Sequence, residues 1–266
     1  MNTAEQKFRD GDLAGCLADL QTLVRQQPAD GRLRVFLAQV MMVLGQWDRA
    51  LNQLRVLAEM DPSTLPMART YETAVHCELF RAEVFAGSRT PLVFGDPEPW
   101  VAQLIQSLGL VAQGHYEQAL ELRAQAFEAA PTTPGTLNDH PFEWIADADA
   151  RFGPIFEAIL NGKYYWVPAH RLASVVIEAP SDARDFVWMP AELTFANGGQ
   201  AMALLPARYP GSESDADDAI RLSRKTEWRD LGPELHVGVG QRVIATDAEE
   251  IGLLEVRRIA FETPAE

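Results

Sequence analysis

Two hydrophobic rhythms divide the chain. Up to about residue 131, apolar and small side chains recur three or four apart, the spacing of helices. After about residue 162 they alternate or run in short blocks, as strands do. The helical part repeats itself. Gly11 and Gly45 are 34 positions apart, and so are Pro28 and Pro62. Between them Leu13, Cys16, Leu20 and Leu23 take the same places as Trp47, Ala50, Leu54 and Leu57. A third copy, Gly114, Tyr116, Ala119, Arg123, Ala126 and Pro131, starts 69 residues after Gly45. The physics is local: glycine turns the chain, a small residue lets two helices approach, and proline ends the second.

This grammar resembles the tetratricopeptide (TPR) repeat. The resemblance implies stacked helix pairs, with the first helix of each pair lining a concave surface. In the second copy that helix is expected over about 30–44, with Arg32, Val35, Gln39, Met42 and Val43 facing the groove. In the last copy it is expected over about 100–113, with Val101, Leu104, Leu108 and Val111. Most of these are apolar. Two readings stand: they hold the apolar face of a partner helix, or the second half of the chain, or an extra helix, covers them. Between the copies a helix is expected over about 66–86, then a loop over 87–99.

Pro131 and the run TTPGT close the repeats. A boundary near 135 therefore divides a TPR-like helical domain (1–135) from a C-terminal α/β domain (136–266). A helix is expected over about 143–160, interrupted at Gly153-Pro154, and Asn161-Gly162 makes a turn. Strands follow in YYWVP, ASVVIEA, FVWMPAELTF, GQAMALLPARY, ELHVGVGQRVIAT and IGLLEVRRIAF, five or six in all, with Asn197-Gly198-Gly199 as a hairpin turn. SESDADDAIRLSRKTEW reads as an acidic, solvated insertion, and Arg257-Arg258 as a solvated strand edge. The expected fold class is α+β: a TPR-like helical domain followed by a mixed domain with a mainly antiparallel sheet or partial barrel.

Charge narrows the partners. The formal net charge is −15, which argues against nucleic acid and against an anionic membrane surface. Residues 1–135 hold 11 Lys/Arg and 16 Asp/Glu, and residues 136–266 hold 12 and 22. The excess acid of the second half reads as solubility or as attraction for a basic partner. Cys16 and Cys77 are too few and too far apart for a disulfide framework or a zinc cluster. With no apolar leader and no run of about 18 apolar residues, a cytoplasmic location is expected.

Catalytic motifs are absent from the sequence: no phosphate loop, nucleophile elbow, paired-histidine helix or CxxC. Gly238-Val239-Gly240 lacks a third glycine and reads as strand or bend. The best chemical cluster is Asp139, His140, Glu143, Asp147 and Asp149. On a helix, Glu143 and Asp147 would share a face and bind a divalent ion with His140. The competing reading makes Asp139 an N-cap and the acids complements of the helix dipole. No cofactor is expected.

The second half carries a more specific signal. The blocks EWIADADARFGPIFEAILNGKYYWVP, RDFVWMPAEL, ARYPGSE, LSRKTEW and GQRVIATDAEEIGLLEVRRI resemble the ImpE/SciE/TagJ family, accessory proteins of bacterial type VI secretion systems. With the TPR-like region, the resemblance covers nearly the whole chain. It implies a cytoplasmic, non-enzymatic adaptor that binds an N-terminal helix of the small contractile-sheath subunit. It also implies a link to the AAA+ ATPase that disassembles contracted sheaths. It assigns no catalytic residue.

Overall fold

The structure, a computed structural model, describes residues 3–232 and 234–262. The helical part comprises α1 (Thr3–Asp10), α2 (Leu13–Gln26), α3 (Gly31–Val43), α4 (Trp47–Met60), α5 (Leu65–Phe85), α6 (Pro99–Ala112) and α7 (Tyr116–Ala129). The repeated glycines do the turning: Gly11, Gly45 and Gly114 have φ of 85°, 64° and 79°, left-handed values that end a helix and suit glycine. Asp12 and Asp30 cap α2 and α3 by accepting from backbone N–H groups in the first turn. Cys16, Ala50 and Ala119 are buried in the helix seams, as the small-residue rule requires.

The strands are β1 (Leu92–Val93), β2 (Gly135–Leu137), β3 (His140–Phe142), β4 (Ile145–Asp147), β5 (Ile155–Leu160), β6 (Lys163–Pro168) and β7 (Leu172–Ile177). They continue with β8 (Trp188–Phe195), β9 (Gln200–Pro206), β10 (Thr226–Gly232), β11 (Leu235–Gly240), β12 (Val243–Thr246), β13 (Glu250–Gly252) and β14 (Arg258–Phe261), with a one-turn helix α8 (Asp218–Arg221) before β10. The main sheet has the order β1-β6-β5-β9-β8-β7-β14-β2-β3. Every pairing in it is antiparallel except the parallel pair β1–β6. The class is α+β, and the sheet stays open rather than closing into a barrel.

Strand β5 explains the layering, because all six of its residues are buried. Ile155, Glu157 and Ile159 face the helices, while Phe156, Ala158 and Leu160 face a second core, the period-2 alternation of a strand covered on both sides. The first core runs from α1 through α6 into Phe152, Trp166, Trp188 and Tyr209 of the second half. The other is closed by Ile244, Leu253 and Val256.

Three expectations are corrected. The helix expected over 143–160 is instead β4 and β5. Ile145 and Asp147 are buried on the same side of a three-residue strand, and IFEAIL is a six-residue buried run between Gly153-Pro154 and the Asn161-Gly162 turn, the length of a core strand rather than a helix. Arg258 does not mark a sheet edge: β14 is paired on both sides, by β7 and β2. The acidic insertion is not simply solvated, since Ser212, Ile220, Leu222 and Ser223 are buried against the helices and sheet. There are also more strands than the apolar runs suggested, because ELHVGVGQRVIAT and IGLLEVRRIAF each split in two.

A buried ionic network ties α5 to the sheet. Arg81 donates to both oxygens of Glu157 (2.7 and 2.6 Å), to Glu78 (2.8 Å) and to the Arg208 carbonyl (3.1 Å). Arg242 pairs with Glu157 from the other side and donates through Nε to Asp147 at 2.9 Å. Tyr209 donates to Asp147 (2.9 Å), and Trp188 to Glu78 (3.0 Å). Burial alone would raise the Glu157 carboxyl, but Arg81 and Arg242 hold it below the usual range. Burial wins at Asp147 and pushes it up to about 6, against the pull of Arg242.

A candidate partner-binding groove

A wide concavity lies against the helical half. It is a groove of about 1150 Å³, between α1, the first part of α3, the end of α4 and the Pro180–Phe186 connection of β7 to β8. Phe8, Leu33, Val35, Phe36, Leu57, Met60, Ala183 and Phe186 supply its apolar lining. Met60 is 41% exposed, a large apolar side chain left open to a partner. The Phe8 ring meets Phe36 edge-on at 5.7 Å and Phe186 at 6.0 Å. Polar groups sit around it: Arg9, Arg32 and Arg224, with Asp30, Asp61 and Asp182. The acids are engaged. Asp30 and Asp61 cap helices, and Asp182 pairs with Arg184 at 2.5 Å. Asp61 is held below the usual carboxylate range by its hydrogen bonds from Ser63.

Why the sequence folds this way is visible locally. Asp30 ends the α2–α3 turn and starts α3, so Arg32, Val35, Phe36 and Gln39 fall on one face by helical spacing. The opposite wall is the 3₁₀ helical turn Ala183–Phe186, closed by a capping box in which Asp182 and Asp185 bond each other's backbone. Ala183 is buried against the helices.

Of the nine residues expected to face a groove, Arg32, Val35 and Gln39 line this one. Met42 and Val43 are buried farther along α3, where the Val43 and Met42 carbonyls accept from Arg208. Val101, Leu104 and Leu108 on α6 are buried in the first core, and Val111 is half-buried. These five buried side chains offer no free surface. Their apolar pattern was answered by the chain itself. The residues that reasoning missed are Phe8, Met60, Phe186 and Arg224. Phe8 and Met60 carry the ordinary signal of apolar residues at helix ends. Phe186 and Arg224 carry none, because nothing local says that the β7–β8 connection reaches the first repeat.

The acidic cluster is dispersed. Asp139 is not an N-cap; with Asn138 it makes the hairpin turn between β2 and β3 (φ 73° and 47°). His140 Nδ1 lies 3.1 Å from Glu249. The Glu143 N–H donates to Asp247 at 2.7 Å. Asp147 belongs to the buried network, and Asp149 is held by Arg151 (2.6 Å) and by the Gly238 N–H (2.7 Å). Among the described residues no three His, Cys, Asp or Glu side chains are grouped so as to hold a metal ion. No helix among them is long and apolar enough to cross a membrane.

Comparison with known proteins fits this architecture. Residues 7–70 match a tetratricopeptide repeat family, and residues 139–260 match the family described as ImpE protein. The chain resembles the crystal structure of a Vibrio parahaemolyticus protein at a TM-score of 0.89, with 24% identity and 98% of each chain covered. That likeness speaks for the fold. The chain is also 53% identical over 259 residues to the type VI secretion system accessory component TagJ of Pseudomonas aeruginosa, covering 97% of this chain and 91% of that protein. With repeats, sheet and sequence in agreement across both halves, the chain belongs to the ImpE family that includes TagJ.

Proposed function

We propose that this protein is a cytoplasmic, non-enzymatic adaptor of a bacterial type VI secretion system. In this reading it holds an N-terminal helix of the small contractile-sheath subunit in the groove between α1, α3, α4 and Pro180–Phe186, and so links the sheath to the ATPase that disassembles it. The 1–135 and 136–266 divisions then act as two domains joined by a common core, one presenting the groove and the other bracing it. The kinship with TagJ supports the system. The groove supports the mode. Its walls are helices and a helical turn, which use their backbone hydrogen bonds internally. A guest must therefore satisfy its own backbone, as a helix does. Apolar contacts to Val35, Phe36 and Met60 would carry most of the affinity, with the arginines at the rim setting orientation.

The expected outcome of Val35→Asp follows. Val35 is half-buried in the wall, so an aspartate there is tolerated by the fold but puts a charge against the guest's apolar face. Binding of a synthetic peptide of the sheath-subunit helix, measured by fluorescence anisotropy, is expected to weaken at least about tenfold, or ~1.4 kcal/mol. A folded variant that binds with wild-type affinity removes the groove as the site.

A further inference from the structure

The two helices that frame the groove are α1 and α3, the first helices of successive repeats. Each ends at a repeat glycine, Gly11 and Gly45. The last carbonyls of a helix have no partner within it and carry the negative end of its dipole. In this protein two arginines from the second half take them up. Arg224 donates to the carbonyls of Arg9 (2.8 Å) and Phe8 (3.1 Å). Arg208 donates to the carbonyls of Val43 (2.7 Å) and Met42 (3.2 Å). Phe8 and Met42 are 34 positions apart, and so are Arg9 and Val43. The same two carbonyls of the repeat are thus read twice, one repeat unit apart, by two side chains sixteen residues from each other in sequence.

The surrounding contacts reinforce the pattern. The Arg224 guanidinium lies 5.9 Å from the Phe8 ring centre and 5.8 Å from that of Phe186, bridging the two opposite walls of the groove. Asp218, between the two arginines, accepts from Leu13 N at 3.1 Å and so caps the start of α2. Arg208 is buried, and its guanidinium also donates to the Arg221 carbonyl at 2.6 Å. Burial lowers its affinity for the proton, so the helix carbonyls must offset much of the cost of a buried cation. Both arginines fall in the blocks ARYPGSE and LSRKTEW.

We propose that Arg208 and Arg224 are positioning residues for partner recognition: a pair of clasps on the second half that fixes the spacing of α1 and α3, and with it the width of the groove. The inference rests on the groove being the partner site. Arg208 holds α3 from behind the groove, while Arg224 holds α1 from the groove's rim, where it is itself part of the lining. Short α1 is the wall most dependent on them, since it is only eight residues long and cannot hold its place by its own helical stability.

Arg208 is too buried for a clean test, so the experiment turns on Arg224, whose side chain is exposed. Nitroxide labels at Gln6→Cys and Arg32→Cys report the α1–α3 distance in the full chain, the native Cys16 and Cys77 being buried. The parent should give one narrow distance distribution. Arg224→Ala should broaden it and weaken binding of the sheath-helix peptide about tenfold, while Arg224→Lys, which keeps a cation at the carbonyls, should stay narrow and bind within about threefold of the parent. An unchanged distribution in Arg224→Ala overturns the proposal, and so does an Arg224→Lys variant as broad as Arg224→Ala. Val35→Asp separates the two readings. If it leaves peptide binding intact while Arg224→Ala still loosens α1, the groove assignment fails and the clasp stands. If it abolishes binding while Arg224→Ala changes neither distance nor affinity, the clasp fails and the groove stands.

Discussion

Glu157→Gln is expected to destabilise the protein by about 3–5 kcal/mol, the cost typical of removing one partner from a buried ion pair. Glu157 lies between two guanidiniums, Arg81 and Arg242, and also accepts from the Tyr164 hydroxyl. All of these side chains are buried. Glutamine keeps the shape and loses the charge, so the two arginines lose the carboxylate they share and keep only Glu78 and Asp147 on their outer sides. In a chain of this length each kcal/mol moves the melting midpoint by roughly 2–4 °C, which puts the expected drop at about 6–20 °C by circular dichroism. The exposed pair Arg89–Glu83, at 3.1 Å, is the internal control: Arg89→Ala should move the midpoint by no more than about 4 °C. Equal midpoints for the two variants would mean that the network contributes nothing beyond a surface pair.

Trp188→Ala is expected to cost about as much, ~3–5 kcal/mol, by a different route. Trp188 is fully buried, with ring contacts to Trp47 at 6.0 Å and Tyr71 at 6.2 Å. Its indole N–H donates to Glu78 at 3.0 Å. Truncation opens a cavity beside the turn of the second repeat and strips a hydrogen bond from a buried carboxylate. The urea midpoint should fall, and the helical and sheet signals should fall together, because the core they share has lost its central aromatic. Trp228, 42% exposed and resting on Tyr209, gives the contrast: Trp228→Ala should cost less than half as much. A Trp188→Ala protein no less stable than Trp228→Ala would deny Trp188 its place at the junction.

What could be read from the sequence was local. Gly11, Gly45, Ala50 and Asp30 announce turns, seams and caps because their effects act within a few residues. The strand-rich second half was legible from its alternating runs, and Asn197-Gly198-Gly199 from its turn chemistry; Gly198 has φ of 83°. The stretch from 143 to 160 misled because Glu143 and Asp147 happen to sit four apart, whereas the short blocks around them were strands. The groove was half legible. Helical spacing put Arg32, Val35 and Gln39 on the open face. The same spacing marked Met42, Val101, Leu104 and Leu108 as a dry face, without saying that this chain itself keeps them dry. Arg208, in a strand run, and Arg224, in the acidic insertion, carry no local sign of these contacts because their partners are 165 and 215 residues away.

The distance between clasp and helix has a consequence in time. Val43 leaves the ribosome 165 residues before Arg208. At roughly 5–20 residues per second, α3 therefore waits on the order of 8–33 s for the side chain that takes up its last carbonyls. Through that interval the nascent repeats expose the apolar surface later covered by Trp188 and the sheet. Only with the last third of the chain does the groove gain its Pro180–Phe186 wall, and the helices the two arginines at their ends.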